Sequence, residues 1–342
     1  MGYSTAFEGT ISLEKLKTHL YSLPEQPDAI PYITSYYQER WGFCLSQDQY
    51  DQLVKGEYYV KVDTKHFNGV LNYGELIIPG KSSKEVFLST YICHPSLANN
   101  ELSGPTVVTY LAKWLSEIKE LEYTYRIIFV PETIGSIAYL SAHHKYLKDN
   151  VFAGFNISCV GDNRAYSYLP SRNGNTISDR MAQHVLKNID PDYKKYTWLD
   201  RGSDERQYCA PGIDLPIASI LRTWWGDYPE YHTSLDDLVN VVTPEGLNGG
   251  YWAVRKAVEA IEKNKKYRVT VFCEPQMSKR GLYPTLATQK DMDQVRLMMN
   301  FISLCDGDKS LVDIADILNI PVWELYDRAD TLSAHGLIEL SE

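Results

Sequence analysis

Polar side chains that could bind a metal ion or move protons occur in four clusters, and three of these clusters directly follow an apolar run. The clusters, in chain order, are His94 with Asn99, Asn100 and Glu101; Glu132 to Ser136; Gly161 to Asn163; and Tyr231 to Asp237. A loop rich in charged residues, 201–208, lies between the third and fourth clusters. Histidines and carboxylates are the side chains that hold zinc and that act as general acids and bases.

Two histidines and one carboxylate can form a three-ligand zinc site that keeps a fourth position for water. Zinc lowers the pKa of that water toward ~7, and a nearby glutamate can accept its proton. This is the chemistry of metal-assisted amide hydrolysis. The candidate residues are far apart in the sequence, so their types indicate this chemistry only if the fold brings them together.

The first cluster stands at a predicted junction between a strand and a helix. The apolar run 86–93 is typical of a buried parallel strand, and Pro95 cannot continue a central strand. Ser103 and Pro105 suit the N-cap and the first turn of a helix. This arrangement puts His94 at the carboxyl end of a core strand, where open α/β sheets build their sites.

Strands and helices alternate over most of the chain. The predicted strands are 86–93, 125–131, 152–160, 215–221 and 269–272, and the predicted helices are 107–118, 134–146, 179–188 and 245–263. This alternation predicts an α/β fold with a mostly parallel sheet flanked by helices. The polar clusters then converge on one edge of the sheet.

A different pattern precedes the alternating region. The predicted elements there are helices at 11–22, 33–41 and 47–53 and an alternating apolar segment at 58–78. Within that segment, Phe67 to Gly69 is typical of a hairpin turn. We therefore expect a small β-rich insert at 45–81 within an α/β domain that is made of 1–44 and 82–275.

The C-terminal part of the chain predicts a separate domain. Residues 276–288 are polar and aperiodic, which is typical of a linker. The elements predicted after it are helices at 292–304, 311–318, 322–328 and 329–335 and a strand-like end at 336–340. Helices joined by tight turns and followed by a strand-like end resemble a winged-helix domain, here at 289–342.

Composition argues against several classes of function. The chain has 342 residues and a net charge of −10, and its terminal helices carry few basic residues, so we do not expect a nucleic-acid partner. A winged helix of this kind more often contacts protein, and a homo-oligomer through this domain is a candidate. The sequence has no signal peptide and no long apolar span, and its six cysteines include no CxxC pair. These features predict a cytoplasmic protein with free thiols and no membrane partner.

The motifs in the four clusters and in the charged loop resemble those of the co-catalytic zinc aminopeptidases. The matching segments are His94-Pro95, Asn100 to Gly104, Pro131 to Ser136, Ser203 to Glu205, and Tyr231 to Thr233. Over nearly its whole length the chain also resembles a group of bacterial aminopeptidase-like proteins. These have a β-rich insert near the front and a C-terminal winged helix, and they often accompany polysaccharide biosynthesis genes.

The resemblance implies roles for individual residues. His94 and His232 match the ligand histidines, and Glu132 matches the general base. Asn100 stands where the family has a metal-bridging aspartate, and Thr133 stands where it has a second glutamate. Because both are neutral, the resemblance implies one zinc ion and not two.

The third ligand and the substrate contacts are also implied by the resemblance. One alignment puts Ser158 at the remaining acidic position and a short shift puts Asp162 there. We favour Asp162, because a strand end reaches the cleft and serine is a poor zinc ligand. The ion is then held by His94, Asp162 and His232. The residues expected to bind substrate are Asn100, Asp204, Glu205, Arg206 and Tyr231.

Other interpretations of these residues remain open at this point. Glu132 suits the first turn of a helix, Asp162 suits a turn after Gly161, and Asp204 to Arg206 suits an exposed salt-bridged loop. Asp236 and Asp237 suit a cap for the following segment, although one of them could orient His232.

The expected function is hydrolysis of an amide bond in a small aminoacyl or peptide-like substrate by one zinc ion and Glu132. A second hypothesis is a degenerate peptidase fold that binds a ligand or partner without catalysis. A third and weaker one is a transcription regulator.

Overall fold

The computed structural model describes residues 1–94, 96–282 and 289–341. The first part of the chain forms small strand pairs around short helices. Its elements are β1 (Phe7–Ser12), α1 (Leu13–Lys17), β2 (Leu20–Tyr21), β3 (Phe43–Cys44), α2 (Gln47–Asp51) and β4 (Glu57–Val62). Strand β1 pairs antiparallel with β4, and β2 pairs parallel with β3.

Two helix predictions in this part are wrong. The helix predicted at 11–22 is only α1, which Ser12 caps through the N–H of Lys15. Residues 33–41, all of them described, form turns instead of a helix. Here the backbone bonds across to Gly2, whose N–H donates to Ile33 and whose carbonyl accepts from Ser35. These long-range bonds replace those that a helix would make within itself.

The β-rich region is present, but the predicted hairpin is wrong. After β4, the next strand is β5 (Gly74–Ile78), which pairs antiparallel with β7 (Tyr123–Val130) of the main sheet. The two arms therefore belong to different sheets. An alternating pattern predicts a strand with one buried face, but it does not say which strand lies beside it.

The main sheet and its helices agree with the predicted α/β fold. The remaining elements are β6 (Ser82–Tyr91), α3 (Ser103–Glu117), α4 (Ile134–Asn150), β8 (Val151–Asn156), β9 (Ser167–Leu169), α5 (Ile177–Ile189), β10 (Lys194–Lys195), α6 (Glu205–Tyr208), β11 (Ile217–Leu221) and α7 (Pro244–Lys263). Among the described residues, seven strands pair in the order β10–β9–β11–β8–β6–β7–β5. The central pairs from β11 to β7 are parallel, and β5 is antiparallel at the edge. The prediction of a mostly parallel sheet is confirmed.

Helices cover both faces of the sheet because successive residues of a strand point to opposite sides. On β6, Val86 and Leu88 pack with the cluster that includes α3, α5 and α7, while Phe87 packs with the cluster that includes α4 and α6. Gly104 lets the start of α3 approach the sheet closely. A Cβ atom there would lie 2.4 Å from the Thr90 hydroxyl and 2.6 Å from the carbonyl oxygen of Ile157.

The C-terminal domain is a winged helix, as predicted. Its elements are β12 (Lys266–Val269), α8 (Gln289–Leu304), β13 (Asp306–Ser310), α9 (Leu311–Leu318), α10 (Trp323–Ala334) and β14 (Ile338–Leu340). Strand β12 lies between β13 and β14. The strand predicted at 269–272 therefore ends at 269 and belongs to this small sheet, not to the main one.

Two further predictions concern this domain. The helices predicted at 322–328 and 329–335 are one helix, α10, because the chain between them contains neither Gly nor Pro to interrupt it. In the predicted linker, Met277–Arg280 forms a short 3₁₀ turn, and residues 283–288 lie outside the described residues. Within the described ranges, every helix is too short or too polar to cross a membrane.

Candidate active site

The loop after β6 is held by the carboxylate of Glu101. Its Oε2 atom accepts the backbone N–H of Cys93 at 2.6 Å and also that of His94. His94 is buried, and burial lowers the pKa of its imidazole. The ring is therefore neutral at neutral pH, which is the form of histidine that binds metal ions.

His232 reaches the same cleft from a loop that precedes α7. Its φ angle is +57°, and its carbonyl oxygen accepts the N–H of Tyr32 at 2.8 Å. The His232 ring stacks on Tyr231, with centroids 3.9 Å apart, and its centroid lies 5.0 Å from that of His94. The two imidazoles, far apart in the sequence, therefore meet in one cleft.

The environment of His232 favours a neutral ring with a free nitrogen. Burial and the neighbouring His94 lower its pKa to about 4. Its Nε2 atom is buried and has no hydrogen-bond partner among the described residues. A buried polar atom without a partner is costly, so this nitrogen is a strong candidate to bind something.

Glu132 follows the end of β7 and faces the loop that carries His94. The ligand-type atoms of Cys93, His94 and Glu132 all lie within 4.8 Å of one another. Burial raises the pKa of Glu132, although the Ser203 hydroxyl and the Arg206 charge oppose the shift. A carboxylate with a raised pKa at this position is suited to accept and return a proton.

Asn100 lies in the π-helical turn Ala98–Leu102 that precedes α3, and Asp236 holds this turn. The two carboxylate oxygens of Asp236 accept the backbone N–H groups of Asn99 at 2.6 Å and Asn100 at 2.9 Å. The Asn100 side chain accepts the hydroxyl of Tyr91. Asp236 therefore neither caps the segment after it nor orients His232, whereas Asp237 does cap, through Val239 and Asn240.

The structure does not place Asp162 with the histidines. Its Oδ1 accepts the Thr223 hydroxyl at 2.5 Å and the Arg164 N–H at 3.0 Å. Its Oδ2 accepts the Thr223 N–H at 2.9 Å and an amide N–H of Asn99 at 3.3 Å. Asp162 thus joins the segments that follow β8 and β11, and these contacts favour a structural role for Asp162 over the expected ligand role.

Asp204 and Glu205 are fully buried, so the alternative of an exposed salt-bridged loop is wrong for them. Asp204 Oδ1 accepts the Thr133 N–H at 2.7 Å and the Ser136 hydroxyl at 2.8 Å. Glu205 accepts the N–H groups of Gly202 and Ser203 through Oε1 and the Asn156 amide through Oε2.

These contacts change the expected role of the segment 204–206. The Asp204 and Glu205 carboxylates shape the turns beside Glu132, and both oxygens of Glu205 accept hydrogen bonds from protein groups, whereas Asp204 Oδ2 is buried and has no hydrogen-bond partner among the described residues. Arg206 donates to the Thr133 hydroxyl at 2.5 Å and therefore joins the same scaffold. Tyr231, by contrast, lies against His232 and Asn100 in the cleft.

Two residues of the site, Tyr32 and Cys93, were missed in the sequence, whereas Glu101 and Asp236 were named there without the roles that the structure gives them. Cys93 is adjacent to His94, so its position was a usable signal. Tyr32 lies edge-on to both histidine rings, at 4.9 Å from His94 and 5.4 Å from His232. Its sequence context carries no signal, because only the fold brings the N-terminal segment to the cleft.

The fold and the site define an aminopeptidase-like protein. Residues 20–264 match the family model described as "Domain of unknown function (DUF4910)", and residues 265–340 match a winged helix-turn-helix model. The chain belongs to the DUF4910 family.

Known proteins agree with this assignment. A Clostridium acetobutylicum protein, provisionally named a polysaccharide biosynthesis protein with an aminopeptidase-like domain, is 38% identical over 99% of this chain and 78% of its own length. A crystal structure of a provisionally named peptidase from the same organism superposes with a TM-score of 0.91 at 37% identity, covering 99% of this chain and 77% of that one. A zinc aminopeptidase from Bacillus subtilis shares the fold, with a TM-score of 0.54 at 16% identity over 71% of this chain and 63% of that one. The resemblance inferred from the motifs is thus confirmed.

Proposed function

We propose that the protein is a metal-dependent hydrolase of aminopeptidase type that cleaves an amide bond of a small aminoacyl or peptide-like substrate. The observation that carries this proposal is the meeting of His94 and His232, whose ring centroids are 5.0 Å apart, with Glu132 close to His94. The names of the relatives support the same class of reaction.

The residues in the cleft fit a zinc ion. Both imidazoles are neutral, the Nε2 atom of His232 has no partner among the described residues, and the nearby donors are of the Cys, His and Glu types that zinc prefers. His94 and His232 would hold the ion. When bound, zinc would polarise the amide carbonyl and lower the pKa of a water molecule.

Glu132 would move the proton in this reaction. Its carboxylate accepts a proton as the water oxygen bonds to the amide carbon, and returns it to the nitrogen as the carbon–nitrogen bond breaks. Burial raises the pKa of Glu132, and this shift makes its carboxylate a better proton acceptor. Tyr231 and Asn100 lie where they can orient the substrate, and Tyr91 fixes the amide of Asn100.

A metal analysis tests the ligand assignment. Protein purified without chelator should contain about one zinc ion per chain, and His94→Ala and His232→Ala should each lose it, because a zinc site that has lost one of its two histidines binds the ion weakly. His335→Ala, at an exposed histidine of α10's end, is the matched control and should keep the metal. Full occupancy in both cleft variants would contradict the assignment.

The variant Glu132→Gln tests whether Glu132 acts as a general base or as a metal ligand. We expect this variant to keep its metal and to lose about 10²- to 10⁴-fold in turnover of aminoacyl amides, because glutamine cannot accept the proton. Loss of metal in Glu132→Gln would instead make Glu132 a ligand.

A second candidate function is ligand or partner binding without catalysis. The observation that favours it is the pair of neutral residues, Asn100 and Thr133, where the resemblance implies acidic ones. Wild-type protein with neither bound metal nor turnover of any aminoacyl amide would support this second function over the first.

A further inference from the structure

Cys93 is part of the cleft but has no role in the function proposed above. It directly precedes His94, and its Sγ atom lies 3.1 Å from His94 Nδ1. Sulfur and nitrogen ligands of one tetrahedral zinc ion are separated by about 3.5 Å, given typical Zn–S and Zn–N lengths. The pair therefore needs only a small adjustment to share an ion.

The contacts of Cys93 are those of a polar site. Its side chain is half-buried at the cleft, whereas Cys159, Cys209 and Cys305 are fully buried. Burial raises the pKa of its thiol, and the charges of Glu132 and Glu101 raise it further, although the backbone N–H of Glu132 acts in the opposite direction. A metal ion bound to the sulfur would overcome this shift, because a coordinated thiol loses its proton. The backbone N–H of Cys93 is held by Glu101, as is that of His94. One carboxylate thus fixes the two neighbouring residues together.

The roles assigned above to the other residues leave the zinc ion without an anionic ligand. His94 and His232 are neutral, and Asn100 and Thr133 replace two acids. Asp162 and Glu205 are engaged with protein groups, and Glu101 accepts two backbone N–H groups. Glu132 is the proton acceptor in the proposed reaction. A thiolate at Cys93 would provide the missing negative charge, and thiolates are strong zinc ligands.

We propose that Cys93 binds the metal ion through Sγ, beside His94. This proposal rests on the metal site of the proposed function and names the residue that compensates for the loss of its acidic ligands. It makes the ion a thiolate-bound zinc and not a member of a carboxylate-bridged pair.

Cobalt provides a readout that does not depend on activity. Metal-free wild type, Cys93→Ser and the matched control Cys44→Ser are titrated with Co²⁺, and bound metal and near-ultraviolet absorption are both measured. Wild type and Cys44→Ser should show an intense thiolate-to-cobalt charge-transfer band. Cys93→Ser should lack the band and bind cobalt more weakly, by more than the about 10- to 100-fold that loss of an outer-sphere partner costs.

The outcomes distinguish this proposal from the proposed function. Cobalt bound by wild type without the band would overturn the ligand role of Cys93 and leave the metal site intact. Failure of wild type to bind either cobalt or zinc would overturn the proposed function itself.

A chemical measurement on wild-type protein keeps the proposal testable if Cys93→Ser does not fold. Zinc should suppress alkylation of Cys93 by iodoacetamide, measured residue by residue with mass spectrometry. The exposed Cys273 is the internal reference and should react equally with and without zinc. Equal alkylation of Cys93 in both states would overturn the proposal.

Discussion

The turn that follows Glu132 stores backbone strain at Thr133. This residue is β-branched and has a φ angle of +65°, which is costly for such a side chain. Asp204 accepts its N–H, and Arg206 donates to its hydroxyl. The strain is thus maintained by two side chains of the α6 segment, and its consequence is the placement of the Glu132 carboxylate in the cleft.

Asp204 makes this turn sensitive to pH. Burial raises its pKa from 3.8 to about 7, although its bonds from Thr133 and Ser136 act in the opposite direction. Between these two values the folded protein keeps the proton and the unfolded chain has lost it. The folded state then binds more protons, so the contribution of Asp204 to the free energy of unfolding falls as pH rises through this window and is level above it.

Asp204→Asn should remove that contribution, because asparagine does not titrate. Urea unfolding at pH values below, within and above the window measures the free energy of unfolding. We expect the free energy of unfolding of Asp204→Asn to fall less with rising pH than that of wild type. The control Asp192→Asn, at an exposed position, should show the same fall as wild type. Identical pH dependence in wild type and Asp204→Asn would show that Asp204 is not the titrating group.

At the scale of elements, one face of α5 joins the main domain to the winged helix. Arg180, His184 and Lys187 lie on this face and contact Asp313, Asp316 and Asn319 of the α9 segment, respectively. The buried His184 also accepts the Val322 N–H through Nε2 at 2.9 Å. Since that nitrogen is an acceptor, the proton sits on Nδ1 and is donated to Asp316.

His184→Ala should destabilise the protein. It leaves the buried N–H of Val322 without its partner, which costs about 1–3 kcal/mol in the free energy of unfolding. Chemical denaturation measures this loss. The control His335→Ala, at an exposed histidine, should stay within about 0.5 kcal/mol of wild type. A His184→Ala variant as stable as this control would contradict the role assigned to the contact.

At the scale of the whole molecule, the charge of the winged helix bears on its partners. Helix α10 would be the recognition helix, and it carries Glu324, Asp327 and Asp330 against Arg328. The Val322 N–H at its start bonds to His184. We propose that the domain, which already contacts the main domain through α5, also contacts a second copy of the chain.

Duplex DNA should therefore not be retained at physiological salt in a mobility-shift assay. The physical reason is that DNA affinity depends on neutralising phosphates with basic residues, and both α10 and the chain, with a net charge of −10, have a negative balance. Binding that weakens steeply with added salt would contradict this prediction and favour a regulator. Sedimentation of the full chain measures whether it forms a homo-oligomer, which stays a prediction.

The sequence by itself determined the local elements of the main domain and the location of the site. Hydrophobic periodicity and caps depend on neighbours a few residues away, so β6, β7, α3 and α7 were predicted close to their observed bounds. Because parallel strands end at a common edge, the order of strands and helices also predicted where the polar clusters would meet.

Only the tertiary structure decided which strands pair and which distant side chains contact each other. Strand β5 pairs with β7 of the main sheet and not with β4. Asp162 accepts a hydrogen bond from Thr223, and Tyr32 of the N-terminal segment contacts the His94 ring. Each of these contacts forms because one long-range pairing satisfies more hydrogen bonds and buries more apolar surface than the alternative pairings. The spacing of residue types within a short segment does not indicate which pairing that is. In the same way, the fold brings the Glu132 carboxylate within 4.8 Å of the ligand-type atoms of Cys93 and His94. The distance of Glu132 from these two residues in the chain does not indicate this grouping.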